Sequence, residues 1–141
     1  MRVTLDSNAI QSINLFQNMT HSSVVDCITE NDEMYVVVAQ GQYGLTIGKN
    51  GTKIKNAERL FKKSIKIFEY SPDVKCFIKN LIPECQEIME EKSIMYIRVK
   101  QKDRARVIGK SGKNIKIANT ILERLFGVNI KVKGSVGSFS E

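Results

Sequence analysis

Two short stretches combine glycine, lysine and an incipient helix in a way that suits the gripping of a phosphate backbone. Residues 47–55 read IGKNGTKIK and residues 108–116 read IGKSGKNIK, one Ile-Gly-Lys-x-Gly-x-x-Ile-Lys frame repeated 61 positions later. Glycine reaches positive φ and has no Cβ, so a sugar-phosphate chain can approach closely. A helix starting just after the second glycine presents unpaired N–H groups and the positive end of its dipole. Lys49 and Lys110 add a mobile cation at each tip. The pattern predicts an anion cradle, made twice.

Two other chemistries share part of this pattern. The GKS at 109–111 matches the end of a nucleotide-binding P-loop, but Arg104 stands where that motif needs its first glycine. In the first copy Gly44 is one residue too close to Gly48, and Asn50 replaces the magnesium-binding hydroxyl. A helix-turn-helix reading of duplex DNA fits the turn itself, yet the helix before each turn is too short to brace a recognition helix. Three cysteines, Cys27, Cys76 and Cys85, form no CxxC pair, and His21 is the single histidine, so no zinc set is recognisable. The cysteines are expected as reduced thiols packed in or near the core. No nucleophile-base or paired-carboxylate constellation points to catalysis, and no cofactor is expected.

The chain has 141 residues and a net charge of +7. Lys49–Lys66 holds seven Lys/Arg against one Glu, and Arg98–Lys116 holds eight against one Asp, so these windows carry +13 and the remainder −6. The positive charge coincides with the repeats, which points to a polyanion partner. No apolar run approaches the roughly 18 residues of a membrane span, and the opening MRVTLDSNAIQSINLF lacks a signal-peptide core. A soluble cytoplasmic protein is expected.

The elements that must position the cradles repeat with them. At an offset of 61, MYVVVAQ (34–40) falls on MYIRVKQ (95–101), and both read as strands. A short helix follows each, 43–47 and 104–108, then the glycine turn. Next comes an amphipathic helix, marked by Ile54, Ala57, Leu60 and Phe61 in one copy and Ile115, Ala118, Leu122 and Leu125 in the other. Closing strands 64–68 and 129–133 pair at an offset of 65, so the second copy gains four residues, about one helical turn. A helix and strand precede each unit: 7–18 (Asp6 as N-cap) and 23–29, then 73–82 and 87–91, with 30–32 as a hairpin turn. The linker YSPD (70–73) is too short for independent tumbling, and the small polar tail is expected to fray.

In these residues the chain resembles the KH family. IGKNGTKIK and IGKSGKNIK look like its GXXG signatures, and helix–strand ahead of strand–helix–GXXG–helix–strand resembles its type II, prokaryotic arrangement. Two such units on a minimal linker are similar to the archaeal NusA-type transcription factors. The implied fold class is α+β: two tandem type II KH domains, residues 1–70 and 71–134, each a three-stranded sheet packed against three helices, with 135–141 a flexible tail. By the same resemblance Gly48, Lys49, Asn50 and Gly51 form one RNA-backbone clamp, and Gly109, Lys110, Ser111 and Gly112 the other, each gripping about four nucleotides. Ile47 and Ile54, with Ile108 and Ile115, would line the base groove or simply belong to the core. Lys53, Lys55, Lys113 and Lys116 would add phosphate contacts or stand as a solvated face.

The implied partner is single-stranded RNA, with RNA polymerase or the elongation complex as a further one, and neither a membrane nor a small-molecule substrate. The implied function is a non-enzymatic elongation, termination or antitermination factor acting on nascent RNA. An rRNA-binding or ribosome-biogenesis role stays open beside it, as does a DNA-binding regulator. Bacterial members carry polymerase-binding and S1 domains before the KH pair; here the first unit opens almost at Met1, so a transcriptional role is expected to act through the pair alone. The sheets also differ. Met34, Val36 and Val38 should face the helices, as Met95, Ile97 and Val99 do, leaving Tyr35, Val37 and Ala39 opposite Tyr96, Arg98 and Lys100. Only the second strand alternates apolar with polar, so the outer face of the first sheet is expected to be covered, by the second domain or by a protein partner.

Overall fold

The computed structural model describes residues 7–30 and 32–133. Their elements are α1 (Ser7–Thr20), β1 (Val24–Thr29), β2 (Glu33–Val38), α2 (Tyr43–Ile47), α3 (Thr52–Phe61) and β3 (Ser64–Glu69). There follow α4 (Val74–Leu81), β4 (Glu87–Glu91), β5 (Ile94–Arg98), α5 (Gln101–Ile108), α6 (Lys113–Phe126) and β6 (Asn129–Lys133). They divide into two compact units between Pro72 and Asp73. Each unit is α+β, with strand order β1-β2-β3 in the first and β4-β5-β6 in the second. Asp6, the expected N-cap of α1, and the tail 135–141 lie outside the described residues.

In the first unit β1 and β2 form an antiparallel hairpin, closed where the Glu30 and Glu33 backbones exchange hydrogen bonds of 2.8 and 3.3 Å. β3 joins β2 in parallel, which requires a crossover, and α2 with α3 supplies it. The alternation of β2 puts Met34, Val36 and Val38 on the helix side, packed with Phe16 of α1, Ala57 of α3 and Ile65 of β3. The second unit repeats the plan. Met95, Ile97 and Val99 are fully buried, as is Phe77 of α4, whose ring lies 5.5 Å from that of Phe126. Asp73 caps α4, its carboxylate accepting the Lys75 N–H at 2.9 Å.

One tie locates the inserted turn. The Glu58 carboxylate accepts the Ile65 N–H at 2.9 Å, and the Asn119 side-chain oxygen accepts the Ile130 N–H at 2.7 Å. The helix partners are 61 apart and the strand partners 65 apart, so the extra residues lie beyond Asn119. They lengthen α6 to 14 residues against 10 in α3. Gly127, left-handed at φ 69°, then ends α6 as expected.

Several expectations need correction. The second short helix begins at Gln101, not 104, and β5 ends at Arg98, because QKDR lacks the Gly41 that precedes α2 and carries an acidic first-turn residue, Asp103. Leu60 is 53% exposed. At about 100° per residue it sits roughly 90° from the centre of the Ile54–Ala57–Phe61 stripe, so it does not join the core. Cys76 is exposed, while Cys27 and Cys85 are half-buried. The outer faces of the sheets differ as the sequence suggests. Tyr35 and Val37 are 2% and 0% exposed, whereas Tyr96 and Arg98 are only half-buried. Burial, then a 2.7 Å hydrogen bond donated to Glu33, pushes the Tyr35 phenol pKa up.

Candidate nucleic-acid interface

The two glycine turns have one backbone conformation. Gly48 has φ/ψ of 80°/172° and Gly109 82°/168°; Asn50 has 56°/25° and Ser111 57°/26°; Gly51 has 71°/18° and Gly112 76°/17°. No pair of angles differs by more than 5°. The tips share only lysine and the flanking glycines, so the conformation belongs to that frame. Each loop closes on itself through Gly51 N–H to Gly48 O at 3.1 Å and Gly112 N–H to Gly109 O at 3.0 Å.

The first glycine of each loop is required twice over. Its φ is in the left-handed half of the map, and a Cβ would have no room. At Gly109 it would lie 2.8 Å from the backbone nitrogen of Asn114, and at Gly48 2.7 Å from Lys53 Cγ. Helix and loop are thus in contact at the point where the chain turns. Asn50 and Ser111 hold left-handed conformations despite having side chains, a local strain of order 1 kcal/mol that collects at ligand clamps. Asparagine tolerates it better than serine.

Beyond the loops, α3 and α6 start at Thr52 and Lys113 without a side-chain cap. The Thr52 hydroxyl donates instead to Lys49 O at 2.6 Å. The first amide of each helix is taken by its own loop, Thr52 N–H donating to Lys49 O and Lys113 N–H to Lys110 O, and the positive end of each helix dipole lies at the loop, which suits a phosphate.

The predicted residues are distributed as follows. Lys49, Asn50, Lys110 and Ser111 stand exposed at the tips, and Lys55, Lys113 and Lys116 are exposed on the helices behind them. Among the described residues Lys49, Lys55, Lys110 and Lys116 have no ion pair, so their charge is not neutralised locally. Arg106 contrasts with them, paired to Glu84 at 3.1 Å and Asp103 at 2.7 Å. Ile47, Ile54, Ile108 and Ile115 are all half-buried, and Ile54 packs against the first core. The fully inward positions of the short helices are Thr46 and Val107.

Lys53 is placed differently from the other lysines. Its ammonium donates to Thr20 O at 3.1 Å and Leu45 O at 3.3 Å. Asn114, 61 positions on, donates to Arg106 O at 2.9 Å. Sequence reasoning missed these ties. The one available signal was that this helical position holds a donor in both copies while the residue type changes. No helix among the described residues is long and apolar enough to cross a membrane.

Comparison with known proteins agrees with this geometry. The KH domain family matches residues 12–85. A "Probable transcription termination protein NusA" of Methanococcus vannielii is 40% identical over 139 residues, covering 94% of this chain and 80% of that one. Its namesake in Halococcus morrhuae is 31% identical over 134 residues, covering 92% and 96%. The crystal structure of APE1850 superposes with a TM-score of 0.75 at 30% identity, over 92% of this chain and all of that one. The chain therefore belongs to the archaeal NusA-type family of KH-domain proteins.

Proposed function

We propose that this protein binds single-stranded RNA through its two glycine-lysine loops and acts in transcription termination, the role named for its relatives. The observation that carries the reading is the backbone identity of the two loops, with unpaired lysines at their tips. Each loop would hold phosphates with its amides and lysine, leaving the bases free to reach the half-buried isoleucines. Gly48, Lys49, Asn50 and Gly51 make the first clamp, and Gly109, Lys110, Ser111 and Gly112 the second. Lys55, Lys113 and Lys116 extend the basic surface. In this reading residues 1–70 and 71–134 are each one type II KH domain, and the protein is a binding factor rather than an enzyme.

The names of the relatives also suggest the transcribing polymerase as a partner, and favour termination over a ribosomal role. The DNA-binding alternative suits the geometry poorly, since α2 has five residues and each long helix turns its apolar stripe into the core. A filter-binding competition separates the two. Single-stranded RNA should displace a labelled RNA oligonucleotide at least about tenfold better than duplex DNA of equal length, since the contacts require an open strand. Equal competition by the duplex would contradict the RNA reading.

A further inference from the structure

We propose that Lys53 and Asn114 are positioning residues, each holding its loop in the gripping conformation by satisfying carbonyls at the ends of neighbouring helices. The proposal rests on the RNA reading above and deepens it, because it says what keeps the clamp formed before RNA arrives. Helix C-termini leave carbonyls unpaired and concentrate partial negative charge there. The Lys53 ammonium is 3.1 Å from the carbonyl of Thr20, the last residue of α1, and 3.3 Å from that of Leu45 in α2. Its stem lies against the loop, since a Cβ on Gly48 would fall 2.7 Å from Lys53 Cγ. One side chain therefore touches the loop, the helix leading into it and the end of α1.

The anchor at α1 is firm. Thr20 is 0% exposed, and its hydroxyl donates to Phe16 O at 2.8 Å and shares a 2.7 Å hydrogen bond with Ser22. The second unit makes the comparison that decides between roles. Asn114 occupies the place of Lys53, and its amide donates to Arg106 O, the carbonyl 61 positions beyond Leu45. Its Cγ is 2.8 Å from where a Gly109 Cβ would stand. Two different side chains thus keep the same contact with loop and carbonyl. The contact survives the change from a charged to a neutral side chain, so what the position keeps is a donor of suitable reach.

The test uses the full chain and compares Lys53→Ala with Lys53→Asn, which installs the side chain of the second unit. Lys53→Ala should weaken binding of an RNA of about twelve nucleotides roughly tenfold, because fewer molecules hold the competent loop. Lys53→Asn should recover affinity to within about threefold by restoring a donor. The salt slope of both should match the unaltered protein, whereas a lost phosphate contact would flatten it by about 0.7. In the RNA-free protein, amide exchange at Gly48 and Gly51 should be faster in Lys53→Ala and normal in Lys53→Asn. Asn114→Ala, read at Gly109 and Gly112, repeats the test in the second unit. Unchanged exchange in both alanine variants overturns the proposal, as does a slope flattened by about 0.7 in both Lys53 variants. If the unaltered protein fails to bind RNA, only the RNA reading falls, and exchange in the free protein still decides the positioning role.

Discussion

An RNA of about twelve nucleotides should bind on the order of a hundredfold more tightly than one of about five, because two linked clamps of about four nucleotides each act together. On the proposed reading the short RNA would fill one loop and leave the other empty. The longer one would engage the second loop as an intramolecular step. Only residues 70–72 separate the end of β3 from the Asp73 cap of α4, so the connection adds little slack. Anisotropy titrations with oligonucleotides of matched composition measure the ratio. Equal affinities at the two lengths would mean that each RNA uses one loop alone.

The loop glycines should differ sharply in their tolerance of alanine. Gly109→Ala meets two costs: an extended positive-φ conformation essentially confined to glycine, about 1–3 kcal/mol, and a Cβ 2.8 Å from the backbone nitrogen of Asn114. That atom cannot yield without shifting α6, which adds about 1–3 kcal/mol. Gly112→Ala meets only the cost of a left-handed residue, about 1–2 kcal/mol, since its nearest neighbour would be Lys116 Cε at 4.0 Å. Gly48→Ala falls between, because the backbone nitrogen of Lys53 would be 3.1 Å away rather than 2.8 Å, although Lys53 Cγ at 2.7 Å must still give way. Urea unfolding should rank the losses Gly109, Gly48, Gly112. Gly109→Ala should also bring the twelve-nucleotide RNA close to the affinity of the five-nucleotide one. Equal losses at Gly109 and Gly112 would contradict the steric account.

Most of the fold was legible because the sequence states it twice. The offset of 61 fixed strands, turns and helices in pairs, and the shift to 65 announced the extra turn of α6 that the Glu58 and Asn119 ties locate. Where the copies diverge, analogy failed. The second short helix has no counterpart of Gly41 to delay it, and it starts three residues before the position that the first copy implies. Leu60 is as hydrophobic as its core neighbours, but its angle on the helix decides, and it lies outside. The candidate loop was readable because positive φ demands glycine, while the carbonyl ties of Lys53 and Asn114 were not. Those of Lys53 join α3 to α1 and α2, that of Asn114 joins α6 to α5, and no local pattern in the chain encodes which side chain turns inward.

The central claim is that the two exposed tips carry the RNA contacts through charge and backbone geometry. It is tested most directly by the salt dependence of RNA affinity in the variant combining Lys49→Asp, Asn50→Asp, Lys110→Asp and Ser111→Asp. Aspartate tolerates the left-handed positions at 50 and 111, so the loops should keep their shape. Burial at the tips is slight, so the melting temperature should barely move. Affinity should fall at least about a hundredfold, and the log–log salt slope should flatten by about 1.4, since two phosphate contacts at about 0.7 each are lost. A folded variant with unchanged affinity and unchanged slope would show that the loops are only turns.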